Sequence, residues 1–160
     1  MVALYLALLG TAMAWDVARA RIPNRLVYPA TLLALALAPW GPPAAWWPGW
    51  GAYANALAGL GGALGVLLPV YLLARGRMGA GDVKLAGLIG AMGGFPVGLV
   101  ALGLAFLGGG VAALALLALR RARLHDTLPY GLFLGGGGVM ALLWGKDLLR
   151  AYLTLLGVAR

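Results

Sequence analysis

Polar residues in this chain are confined to short islands, and the stretches between them are almost wholly apolar. Six stretches read as helices, at about residues 1–15, 25–40, 52–74, 82–94, 96–119 and 131–145, the last followed by an apolar tail. The longer ones match the length needed to cross roughly 30 Å of hydrocarbon. The islands alternate in kind. DVARARIPN, RGRMGAG and RRARLHDTLP carry arginine, whereas WGPPAAWWPGW and GGFP carry no charge. Basic loops stay in the cytoplasm, and tryptophan favours the headgroup layer. The pattern therefore predicts an all-α, polytopic membrane protein. It has one domain over residues 1–160, about six transmembrane helices, both termini outside and three cytoplasmic loops. Lys146, Arg150 and Arg160 depart from this scheme, which places them outside. Ala12-Met13-Ala14 resembles a signal-peptide cleavage site, but no basic region precedes it.

Composition strengthens the membrane reading. Hydrophobic residues make up 63% of the 160 positions and charged ones 10%, against about 45–50% and about 25% in soluble domains. The net charge of +8 raises the question of nucleic acid. Nine of the twelve basic residues, however, fall in three clusters separated by apolar spans: Arg19, Arg21 and Arg25; Arg75, Arg77 and Lys84; Arg120, Arg121 and Arg123. That layout suits anionic lipid headgroups and lacks the interleaved polar and aromatic surface of a nucleic-acid binder. Glycine pairs spaced by four, at 61/65, 90/94 and 131/135, predict close helix packing. The run at 135–138 predicts a local loosening of the sixth span.

The chemistry starts at MGAGDVKLAGLIGAMGG, residues 78–94, where Asp82 stands between a glycine turn and an apolar run. The chain has four acidic residues, all Asp. Asp16 ends the first span and Asp82 begins the fourth, so the topology brings both to the cytoplasmic edge. A carboxylate bordering hydrocarbon is costly unless paired or functional. The plain alternatives are that Asp82 caps its helix and that Asp16 pairs with Arg19. Gly79 and Gly81 let the chain turn tightly beside Asp82, and Pro23 turns it back seven residues after Asp16. Two adjacent carboxylates cannot both ionise easily. The protonated one can donate to a scissile carbonyl while the ionised one deprotonates water. The inventory supports this by elimination: no Cys, no Ser and a single His leave no usual acyl-enzyme route and no histidine-based zinc site. No metal or cofactor is called for.

Asp16 with Ile22-Pro23-Asn24, and Gly79-x-Gly81-Asp82-x-Lys84, resemble the type IV prepilin leader peptidase family, membrane aspartic proteases of the GxGD type. Leu128-Pro129-Tyr130-Gly131-Leu132-Phe133-Leu134 resembles its third signature. The three motifs occur in family order over residues 16 to 134. The resemblance implies an endopeptidase of the inner membrane that acts on the cytoplasmic side. It would remove the short basic leader from prepilins or pseudopilins, with Asp16 and Asp82 as the catalytic pair. Around them stand Pro23, Asn24, Gly79, Gly81, Lys84, Pro129, Tyr130 and Gly131. Many members also carry a four-cysteine zinc domain, and some methylate the new N-terminus. This sequence has no cysteine, which points to the peptidase-only branch.

The remaining polar residues have simpler readings. Lys84 snorkels to headgroups or helps hold an ionised Asp82, and Asn24 caps or turns the second span. His125 and Asp126 lie in a solvated loop, where Asp126 can receive a basic leader. Asp147 pairs with Lys146. Two other functions fit the same residues: a small transporter or channel using Asp16 and Asp82 as a proton or cation site, and a membrane scaffold with structural Asp–Arg pairs. Transport sites favour the midplane, and these aspartates are expected at an edge.

Overall fold

The structure, a computed structural model, describes residues 1–19, 22–41, 51–74, 78–120 and 130–157. Its elements in chain order are α1 (Val2–Arg19), α2 (Asn24–Ala36), a 3-10 turn (Ala38–Trp40), α3 (Ala52–Leu73), α4 (Ala80–Gly93), α5 (Val97–Ala118) and α6 (Tyr130–Leu155). The all-α, polytopic architecture expected from the pattern is present. Four helices, α1, α3, α5 and α6, are long and apolar enough to cross a membrane. Two of the six expected spans are shorter. With 13 and 14 residues, α2 and α4 reach only about 20 Å at 1.5 Å per residue.

Burial explains how so short a helix as α4 serves. Every residue from Asp82 to Gly93 except Lys84 is buried, and α2, α3, α5 and α6 all pack on it. A helix apolar on all sides and enclosed by others is matched to its neighbours rather than to lipid. Lipid-facing surface is left to the outer helices, where Leu73 of α3, Leu107 and Val111 of α5 are largely exposed.

Backbone proximity sets the packing. Gly59 of α3 and Gly90 of α4 meet backbone to backbone, with Ala63 beside them. Gly94, at φ +67°, lies against the Asn55 side chain, and Asn55 Oδ1 accepts the Phe95 N–H at 3.2 Å. The spacing-of-four reading is corrected at one pair: Gly61 and Gly65 have no neighbour within 4 Å, so Gly59 and Ala63 form that contact instead. The run at 135–138 does not loosen α6, which is continuous from Tyr130 to Leu155. Three of its glycines admit neighbours: Gly135 meets Met13, Gly137 meets Ala101 and Ala105, and Gly138 meets Leu9 and Ile89. These contacts make α5 and α6 antiparallel and place the N-termini of α4 and α6 at one end of the bundle, beside the C-terminal turns of α1.

Candidate active site

Three helix ends converge at that end of the bundle. The first helix runs three residues beyond Asp16, to Arg19, so Asp16 lies within its last turns rather than at its end. Asp82 sits in the first turn of α4. Gly79 is the residue that caps this helix, which corrects the capping alternative for Asp82. The Asp82 carboxylate turns back towards the Gly79 backbone N–H, the reciprocal half of a capping box. Asp16 faces the backbone N–H groups of Gly131 and Leu132 at the start of α6, where the helix dipole favours negative charge.

Asp16 and Asp82 are 6% and 9% exposed and close enough for the charge of one to act on the other. Arg19 neutralises neither carboxylate directly. Its guanidinium instead stacks on Trp15, 4.6 Å from the ring centroid. Asp16 Oδ2 has no hydrogen-bond partner among the described residues, and the buried Tyr130 hydroxyl has none either. Tyr130 lies within electrostatic reach of Asp82 and packs on Phe106 with 5.9 Å between ring centroids. A buried, unpaired polar atom costs roughly 1–3 kcal/mol. One of these two atoms belongs to Asp16 itself, and the other lies within electrostatic range of Asp82.

Glycine permits a close approach at the site. An added Cβ on Gly131 would lie 2.6 Å from Asp16 Oδ2 and 3.0 Å from Ile22 Cδ1, and one on Gly81 would lie 3.1 Å from Ile22 Cβ. Ile22, 9% exposed, thus bridges the first turns of α4 and α6. Its place was not readable from sequence, because an apolar residue before a proline carries no signal of what it touches.

Lys84 does not reach the carboxylates. Its ammonium donates to Asn24 Oδ1 at 2.8 Å and lies 5.1 Å from the centroid of the Tyr28 ring. Asn24 is therefore the first residue of α2, with Pro23 as its cap, and its side chain ties α2 to α4 instead of capping. Pro129, His125, Asp126, Arg21, Arg75, Arg77, Arg121, Arg123 and Arg160 lie outside the described residues, as do three of the four tryptophans of the 40–50 loop. No cluster of metal-binding side chains occurs among the described residues.

Comparison with known proteins places this geometry in context. Residues 3–114 match the type IV leader peptidase family. The prepilin leader peptidase/N-methyltransferase of Stutzerimonas stutzeri is 32% identical over 141 residues, covering 86% of this chain and 47% of that protein. The protein of the same name from Pseudomonas aeruginosa is 38% identical over 90 residues, covering 55% of this chain and 31% of its own length. The one from Aeromonas hydrophila is 36% identical over 83 residues. The chain thus spans less than half the length of these curated relatives. No solved structure matches it significantly.

Proposed function

This chain belongs to the type IV leader peptidase family, and from that premise and the geometry of its site we propose that it is an aspartic endopeptidase. Its substrates are prepilins or prepilin-like proteins, whose basic leaders it removes at the cytoplasmic face of the inner membrane. One observation carries the reading: two aspartates 66 positions apart in sequence are both buried at the common end of α1, α4 and α6, within electrostatic range of one another.

Mechanism follows from the pair. Buried like charges at short range share a proton. The ionised carboxylate takes a proton from water as the water oxygen attacks the scissile carbonyl carbon. The protonated carboxyl donates to the carbonyl oxygen, and collapse of the tetrahedral species expels the amine of the mature N-terminus, which takes up a proton. Asp16 and Asp82 exchange these roles, and no covalent enzyme intermediate forms. The Tyr130 hydroxyl, without a partner among the described residues, supplies a donor within electrostatic range of Asp82, where negative charge develops. Gly81 and Gly131 let Ile22 and the Asp16 carboxylate lie directly on helix backbone, which supports the pair where the helix ends meet. The site lies at an end of the bundle, where a leader in the cytosol can meet it, whereas a transport site belongs near mid-bilayer.

The test is incubation of the purified protein with prepilins from the same genome, followed by mass spectrometry of both products. Cleavage between leader and apolar helix is expected, and it is expected to be abolished by Asp16→Asn and by Asp82→Asn with helicity retained. Full activity of either variant defeats the proposal. The same masses report whether a methyl group is added, an activity outside the proposal.

A further inference from the structure

At the opposite end of the bundle lies a cavity of about 220 Å³. Its apolar wall is formed by Gly93 at the end of α4, Val97 at the start of α5, and Gly145 of α6. Lys146, Asp147 and Arg150 of α6 complete it. The two cations are four residues apart and so lie on one face of the helix. At 1.5 Å per residue, Lys146 stands about 24 Å and Arg150 about 30 Å along α6 from Tyr130. With Tyr130 at the active-site edge of a hydrocarbon layer roughly 30 Å thick, Arg150 reaches the other headgroup layer and Lys146 snorkels to it. Trp144 and Tyr152 of the same stretch of α6, both more than half exposed, stand at the depth where aromatic residues gather. These are the basic residues that the alternating-loop pattern left on the wrong side.

We propose that this cavity binds the phosphate group of an anionic phospholipid in the leaflet opposite to the aspartates. Two cations against one carboxylate leave the cavity with a net charge of +1, the complement of one phosphodiester. Close packing of Gly145 on Val97 holds the cavity wall on helix backbone, so the site is formed before the lipid arrives. The apolar wall continues onto the lipid-facing surface at Leu143, 44% exposed, which gives acyl chains a path. A free phosphate ion shares the headgroup chemistry but gains nothing from that path. The inference does not rest on which reaction the aspartates perform.

Thermal unfolding of the detergent-solubilised chain tests the site, with phosphatidylglycerol, phosphatidylcholine or sodium phosphate added. Phosphatidylglycerol is expected to raise the melting temperature by about 4 °C over phosphatidylcholine, a shift within reach of a ligand well above its Kd. The doubly substituted Lys146→Gln, Arg150→Gln chain is expected to lose most of that increment. Asp147→Asn, which removes the opposing charge, is expected to enlarge it, and this second variant keeps the idea testable if the first does not fold. An equal increment from sodium phosphate at matched ionic strength supports the site and assigns it to the free ion. An increment unchanged by all these substitutions overturns the proposal and assigns the lipid effect to the basic loops.

Discussion

Gly131→Ala separates the proposed chemistry from the fold. The new Cβ would stand 2.6 Å from Asp16 Oδ2, 2.8 Å from its Cγ and 3.0 Å from Ile22 Cδ1. Ordinary contact begins at 3.4 Å, so the carboxylate oxygen must retreat from 2.6 to 3.4 Å, about 0.8 Å. The atoms in the way are the ends of two flexible side chains, so the helices can stay where they are. Misplacing a reacting group by about 1 Å costs on the order of 100-fold in rate. The expected outcome is therefore a loss of about 100-fold in leader cleavage, measured by mass spectrometry on a synthetic prepilin peptide. Helicity by circular dichroism and the melting temperature should stay near wild type. Gly135→Ala, one turn along the same helix, is the control, because its Cβ meets the Met13 side chain and no carboxylate. A wild-type rate in Gly131→Ala, or an equal loss in Gly135→Ala, refutes the reasoning.

The remaining predictions divide the molecule by role. Tyr130→Phe removes the unpartnered hydroxyl and keeps the packing on Phe106, so cleavage should fall by roughly 100-fold, as for a lost oxyanion donor, with KM little changed; an unaltered kcat removes Tyr130 from the chemistry. Gly90→Ala puts a Cβ 2.8 Å from that of Ala63 and closer still to the Gly59 backbone, which cannot yield. It should cost about 1–3 kcal/mol, seen as a lower melting temperature, whereas Gly61→Ala, with open space around it, should leave it unchanged. Lys84→Met and Asn24→Ala break the same bond, so each should lower activity by a similar, modest factor of about tenfold or less; loss as complete as in Asp82→Asn would put Lys84 on the carboxylate after all.

Those roles were unequally legible. The helices could be read because hydrocarbon imposes length and composition on any segment that crosses it, and Asp16 and Asp82 stood out because acids are scarce in such a chain. Their meeting followed from counting spans, as parity alone sends the end of the first helix and the start of the fourth to one side. What escaped was pairing at finer range. Lys84 and Asn24 are 60 residues apart, and nothing in either local sequence names the other. Arg19 stands within one helical turn of Asp16, the partner its sequence suggests, but the aromatic face of Trp15 holds it. The spacing of glycines at 61 and 65 satisfied a packing rule that two lipid-facing positions do not use. The apolar run of the short α4 reads as a span because nothing in it shows that protein, rather than lipid, surrounds it.

That enclosure of α4 has a consequence for the site. A lipid-facing helix carrying Asp82 would set its carboxylate against hydrocarbon or drag headgroups and water inward to solvate it. Among the described residues, enclosed α4 presents the carboxylate to its own Gly79 cap and to the Tyr130 end of α6, which lies within electrostatic range. Asp16 likewise faces the first turn of α6. Among the described residues, both acids thus face helix termini and no arginine partner. A mutation that placed a cation there, such as Ile22→Lys, should fix the nearer carboxylate in its ionised form. Cleavage should then stop while binding of a basic leader weakens, and a variant retaining the wild-type rate would show that proton sharing between the aspartates is not required.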